Sequence, residues 1–248
     1  MHASCAAYEN DPTTYSFFHD FHFDEVIPFS SDPKKDGGAT RGFLAARNDA
    51  IILAFRGSDD AQDWAINFNV KKIQDNGAHV HEGFVLALAS VWDKISTPLR
   101  KMVEQKNRKI WVTGHSLGGA LATLATRRLL NMGVGQIETH TFGQPRVGGI
   151  KLAKQITSTF YRFAYVSDPV PVFPPERMRY VHTGTLKQIG ADGTIRGDST
   201  SLISQIAAQS NTIKQFFGNS LKTFIRERID DHFISNYVEK IAIGVNKR

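Results

Sequence analysis

Hydrophobic and polar positions along the chain switch repeatedly between two periods. Residues 41–47 and 50–55 are short apolar-rich runs separated by Asn48-Asp49, a turn dipeptide, and this predicts a β-hairpin. From Phe84 onward Leu88, Val91, Trp92, Ile95, Leu99 and Met102 recur at spacings of three and four, the period of an amphipathic helix. Residues 110–113 then read as a buried strand, residues 114–119 as a turn, and Ala120, Leu121, Leu124 and Ala125 resume helical spacing. Further strands are predicted at 139–142, 160–166 and 185–189, with a helix around 150–158 between the first two. Helices are predicted over 201–228 and 231–241. Strand and helix in alternation imply an α/β fold in which helices cover both faces of a mostly parallel sheet.

Composition sharpens this picture only slightly. A chain of 248 residues buries a large fraction of its surface without covalent staples. With no repeat, low-complexity stretch or linker in sight, residues 1–248 read as one domain. Hydrophobic residues at 41% and charged residues at 22% are ordinary globular usage, which argues against disorder and fibrous classes. Cys5 is the only cysteine and has no intramolecular disulfide partner, so a reducing compartment is allowed. Residues 1–8 lack the basic start and apolar run of an export signal, and no window is apolar enough to span a bilayer. The expectation is a cytoplasmic protein, or a secreted one whose signal has been removed. The formal charge of +6 is spread over pairs such as Lys34-Lys35, Lys71-Lys72 and Arg127-Arg128. Solvated surface accounts for it first and attraction to anionic lipid second. Nucleic acid ranks last, because no recognition module or basic stripe with interleaved aromatics is present.

Candidate chemistry sits in the strand-to-helix turn. Gly114-His115-Ser116-Leu117-Gly118 is a G-x-S-x-G sequence, and in that context it predicts an elbow that pushes the Ser116 hydroxyl out at the strand's carboxyl end. The following helix aims its amides and positive dipole end at the same place, where they would stabilise negative charge on a substrate oxygen. A serine hydroxyl needs a base, and the base needs an orienting acid. Asp168, in Ser167-Asp168-Pro169-Val170-Pro171, directly follows the strand at 160–166 and fits the acid, although Asp-Pro equally starts an ordinary turn. His232 follows late in the chain and completes the order Ser, Asp, His. His115 should point away from the serine, and His19 and His22 lie in an aromatic run expected to be core. Asp231 is expected to cap the last helix rather than reach back to its neighbour's ring. For the oxyanion, the amide of Leu117 is one expected donor. Ser58, in Arg56-Gly57-Ser58 after the strand at 50–55, is the second, with a plain turn and solvated serine as its alternative. Neither a metal nor another cofactor is called for.

The motifs Phe55-Arg56-Gly57-Ser58, then Trp64 and Asn67, His81-Glu82-Gly83-Phe84, Gly114 to Ala120, Phe142-Gly143-Gln144-Pro145-Arg146-Val147-Gly148, Asp168-Pro169-Val170-Pro171 and Asp231-His232 occur in one order from about residue 40 to 240. Together they resemble the class 3 lipase family, the fungal-type triacylglycerol lipases. The resemblance implies an α/β-hydrolase fold, a triad of Ser116, Asp168 and His232, and an oxyanion hole at Ser58 and Leu117. It implies a lid at about 59–68, whose Asp59, Asp60 and Asp63 make it more acidic than a strongly lipid-seeking lid, so soluble short esters are expected substrates too. The single cysteine, set against the disulfides frequent in secreted fungal members, points to a bacterial or intracellular relative. The function implied is hydrolysis of acylglycerols or related carboxylic esters through an acyl-enzyme, with a lipid–water interface as a further partner. Phospholipase A1 and feruloyl esterase activities share this architecture. The competing class is a catalytically silent, lipase-like interaction module. Residues 201–228, with Ile203, Ile206, Phe217, Leu221 and Phe224 beside Lys214, Lys222, Arg226 and Arg228, suggest a flap that docks on anionic lipid, against the plainer reading of a helix packed on the core.

Overall fold

The predicted hairpin closes the antiparallel end of a larger sheet. A computed structural model describes residues 1–9, 11, 13, 15–32, 34, 40–58, 70–105, 108–197 and 227–246. Among these, the strands are β1 (Glu25–Ser30), β2 (Arg41–Ala46), β3 (Ala50–Phe55), β4 (Lys72–Asp75), β5 (Ala78–His81), β6 (Lys109–His115), β7 (Ile137–Phe142), β8 (Thr159–Tyr165), β9 (Thr185–Ile189) and β10 (Ile195–Gly197). The helices are α1 (His2–Ala6), α2 (Ser16–Asp20), α3 (Glu82–Gln105), α4 (Leu117–Asn131), α5 (Ile150–Gln155) and α6 (Ile234–Asn246). The main sheet runs β1-β2-β3-β6-β7-β8-β9-β10, while β4 and β5 form a separate hairpin. Ladders from β3 through β9 are parallel, and both edges are antiparallel. This is the mostly parallel sheet that the alternation predicts.

Period two decides which face each strand residue enters. On β3, Ile51, Leu53 and Phe55 join Leu88, Val91, Ile95, Leu99 and Met102 of α3 and Leu121, Leu124 and Ala125 of α4 in one core. Ile52 and Ala54 point the other way and pack, with Phe43 and Ala45 of β2, against Ala3, Ala6 and Ala7 of the α1 region and Phe18 of α2. A third cluster joins Phe142 and Ile189 to Tyr237 of α6. Both faces are therefore covered, as expected of this fold class.

Two expectations change. His19 and His22 are exposed rather than core: the aromatic run buries Phe18, with Phe17 and Phe23 packed beside it, while the imidazoles stay in water. The terminal helix begins later than predicted, for residues Ile229–His232 form a 3-10 turn and α6 starts only at Ile234, after extended Phe233. Asp231 thus precedes a 3-10 turn's end rather than capping an α-helix. The predicted lid at 59–68, with the motif residues Trp64 and Asn67, and all but the last two residues of the segment 201–228 lie outside the described residues.

Candidate active site

All of the site converges at the carboxyl ends of β3, β6, β7 and β8. Ser116 sits between β6 and α4 with φ 57° and ψ −127°, a left-handed backbone that a non-glycine residue holds only when its surroundings compel it. Here the Ser116 amide donates to the Phe142 carbonyl at 2.9 Å, and the Ser116 carbonyl accepts from the Gly119 amide at 2.9 Å and the Ala120 amide at 3.3 Å. The flanking glycines are needed for close approach. A side chain on Gly114 would overlap the Gly118 backbone, and one on Gly118 would overlap the Phe55 carbonyl. Helix α4 is thereby pressed onto the end of β3, which brings Arg56-Gly57-Ser58 against the elbow: a Cβ on Gly57 would lie 3.2 Å from the Ser116 Cβ.

Asp168 and His232 meet although 64 residues separate them. Asp168 follows β8, and its Oδ1 accepts from the Val170 amide at 2.8 Å, an Asx-type bond that anchors the carboxylate to its own turn. Its Oδ2 accepts from His232 Nδ1 at 2.8 Å, with both side chains fully buried. Tyr237 Oη donates to the same Oδ2 at 2.6 Å and accepts from the Tyr165 amide at 3.0 Å. Burial, with the Asp168 charge second, pushes the Tyr237 hydroxyl well above its ordinary range, so it is a permanent donor. Asp231 makes no such bond to the ring; burial and then the Asp168 charge raise its carboxyl. Gly143, at φ 57°, forms the floor under the pair: a Cβ there would lie 2.9 Å from Asp168 Oδ2 and 3.0 Å from His232 Nδ1.

Ser116 Oγ and His232 Nε2 are both buried and without a hydrogen-bond partner among the described residues. A carboxylate only accepts, so Nδ1 of His232 carries a hydrogen, and Nε2 is the nitrogen that a neutral imidazole in this orientation offers as acceptor. A hydroxyl and a bare, oriented imidazole nitrogen in one water-poor place are the components of nucleophilic acyl transfer. Leu117 opens α4, and no backbone hydrogen bond engages its amide among the described residues. Ser58 is half-buried one residue beyond the Gly57 contact. His115 points away from the serine, as expected, and bonds elsewhere. Of the five residues singled out in the sequence, the structure bonds Asp168 to His232 directly, places Ser116 and Leu117 together at the elbow, and sets Ser58 one residue beyond the Gly57 contact with Ser116. Tyr237 was missed, for a tyrosine on an amphipathic helix carries no local signal of its partner.

The comparisons with known proteins agree with this geometry. A family model, Lipase (class 3), matches residues 52–178, slightly more than half of the chain. The chain belongs to the class 3 lipase family. Among curated relatives, secreted mono- and diacylglycerol lipase A of Penicillium cyclopium is 36% identical over 151 residues, covering 58% of this chain and 50% of that protein. The chain therefore spans about half the length of the curated relatives it matches. Among solved structures, the lipase from Rhizopus microsporus var. chinensis superposes with a TM-score of 0.64 at 26% identity, covering 76% of this chain and 72% of that one. A triacylglycerol lipase described as having a catalytic centre formed by a serine protease triad superposes with a TM-score of 0.65 at 26% identity, covering 71% of each chain. The α/β-hydrolase fold follows from these likenesses and from the sheet order.

Proposed function

We propose that this chain is a serine hydrolase of acylglycerols or related carboxylic esters, with Ser116 as nucleophile, His232 as base and Asp168 as orienting acid. The observation that carries the reading is the buried 2.8 Å bond from His232 Nδ1 to Asp168 Oδ2, beside a serine in an elbow. Ser116 Oγ attacks the ester carbonyl while His232 Nε2 takes its proton, and Asp168 steadies the imidazolium. The amides of Leu117 and Ser58, with the Ser58 hydroxyl, receive the oxyanion. The imidazolium then protonates the leaving alcohol. Water, deprotonated by the same nitrogen, attacks the acyl-enzyme and releases the acid. Ester and water balance these steps, so the reaction requires no cofactor.

Acylglycerols are the proposed substrates because relatives are named as mono- and diacylglycerol lipases, and a lipid–water interface is the setting such substrates provide. Among the described residues no helix is long and apolar enough to cross a membrane. We take the chain as one domain, supported by a single sheet that runs from β1 to β10 and by α6 packing back onto it through Tyr237.

The test is hydrolysis of p-nitrophenyl butyrate and of an emulsified diacylglycerol by the purified chain and by Ser116→Ala. The reading expects turnover of both by the wild type and a loss on the order of a millionfold in the variant. An interaction module would hydrolyse neither ester.

A further inference from the structure

His115 stands next to Ser116 in the elbow, yet its ring serves neither the serine nor Asp168. Its Nε2 lies 2.7 Å from the His232 carbonyl oxygen and its Nδ1 lies 2.7 Å from Tyr8 Oη. A carbonyl only accepts, so Nε2 carries the hydrogen. Burial, with the neighbouring His232 ring second, holds His115 well below the ordinary histidine range, so the ring is neutral and Nδ1 is bare. Tyr8 must therefore donate. Burial likewise pushes the Tyr8 hydroxyl above its ordinary range, so the proton stays available to give.

The same hydroxyl reaches the oxyanion loop. The Gly57 backbone lies so close to Tyr8 Oη that a Cβ on Gly57 would overlap it, and the Gly57 amide interacts favourably with the phenol oxygen. Arg56 extends over the Tyr8 ring, 5.7 Å from its centroid. Meanwhile the rings of His115 and His232 lie 4.6 Å apart, centroid to centroid, tilted by 30°. His232 is thus held at two places, its ring by Asp168 and its main chain by His115.

We propose that Tyr8 and His115 form a positioning relay that holds the 56–58 loop, the elbow and the His232 main chain in one catalytic register. The inference rests on the functional reading above. Its physical core is directional. Without the Tyr8 hydroxyl the Nε2–H tautomer is held by the His232 carbonyl alone, and whenever the ring takes the alternative tautomer a bare nitrogen stands against that carbonyl. His232 would then be pushed out of line with Ser116, and a shift on the order of 1 Å in such a group costs up to about a hundredfold in rate. Because the polar atoms of both residues are engaged with protein groups, binding should be spared.

Three variants test the relay: Tyr8→Phe, His115→Phe and the double substitution. The expected results are a kcat lowered about 10- to 100-fold in each single variant with KM little changed, and a double variant no worse than the worse single one. Nitrogen NMR of the wild-type His115 ring should show hydrogen at Nε2 and a bare Nδ1, a readout that does not depend on turnover. A kcat for Tyr8→Phe within twofold of wild type would overturn the relay, as would multiplying losses in the double variant. So would hydrogen at Nδ1 in the wild type. If His115→Phe fails to fold, the Tyr8→Phe kinetics and the NMR tautomer decide alone. Failure of the functional reading is separate: the wild type would then hydrolyse neither ester, or Ser116→Ala would retain ester hydrolysis, whatever the tautomer.

Discussion

Tyr237 Oη and His232 Nδ1 share one oxygen, Asp168 Oδ2, at 2.6 and 2.8 Å. Two donors on a single carboxylate oxygen fix its direction, and neither gives way to water because all three side chains are buried. Tyr237→Phe removes one donor and leaves the ring in place. We expect kcat to fall about tenfold with KM unchanged, and stability to fall by about 1 kcal/mol. Steady-state kinetics and urea unfolding of the same preparation check both. An unchanged kcat would make Tyr237 packing only.

Gly143 and Gly77 make a matched pair. Both have positive φ, 57° and 75°, but a Cβ on Gly143 meets Asp168 and His232 whereas one on Gly77 meets nothing within 4 Å. Alanine at either position is expected to cost about 1 kcal/mol or more through backbone strain. Only Gly143→Ala should also abolish turnover. Ester hydrolysis measured well below each melting temperature separates strain from misalignment.

Much of this architecture is legible in the sequence because its signals are local. The 41–55 hairpin, α3 and the elbow each announce themselves within one short continuous stretch of chain. What was missed depends on distant partners. Helix α1 has no apolar period and takes shape only by packing Ala3, Ala6 and Ala7 on the sheet, so the role of Tyr8 in reaching His115 was invisible. Strand β1 contains Pro28 and lies at an edge, where a missing amide is tolerated. The β4–β5 hairpin did carry a signal, Asn76-Gly77 with φ 47° and 75°, the pair favoured in two-residue turns. The five proposed site residues can be named from the sequence because the elbow picks out Ser116 and Leu117 and the order of motifs along the chain picks out the rest.

Ser58→Ala should lower kcat about a hundredfold with little change in KM, since an oxyanion donor acts on charge that grows only in the transition state. The retained Ser58 amide softens the loss. A raised KM with unchanged kcat would reassign Ser58 to ground-state binding.

Stability should depend on pH through buried His115 and half-buried His182. His115 and His182 are both held well below the ordinary histidine range, by burial first and by neighbouring positive or ionisable groups next. Their folded-state values are depressed, so below about pH 6.5 the unfolded chain binds protons that the native chain refuses. Stability is full above that pH and falls as pH drops, by about 1.4 kcal/mol per pH unit for each ring. Urea midpoints from pH 7.5 to 5.5 should decline steadily, and His182→Gln should flatten the slope relative to its own value at pH 7.5. A midpoint independent of pH would contradict the neutral assignment of both rings.

The central claim is that Ser116 is the nucleophile, and covalent labelling reads it directly. Wild-type protein treated with a fluorophosphonate should gain one adduct, found by peptide mass spectrometry on Ser116, with loss of ester hydrolysis in proportion to labelling. His232→Ala should slow the labelling by orders of magnitude while the fold persists. An adduct on another serine, or a hydrolytically active protein that never labels at Ser116, would contradict the account.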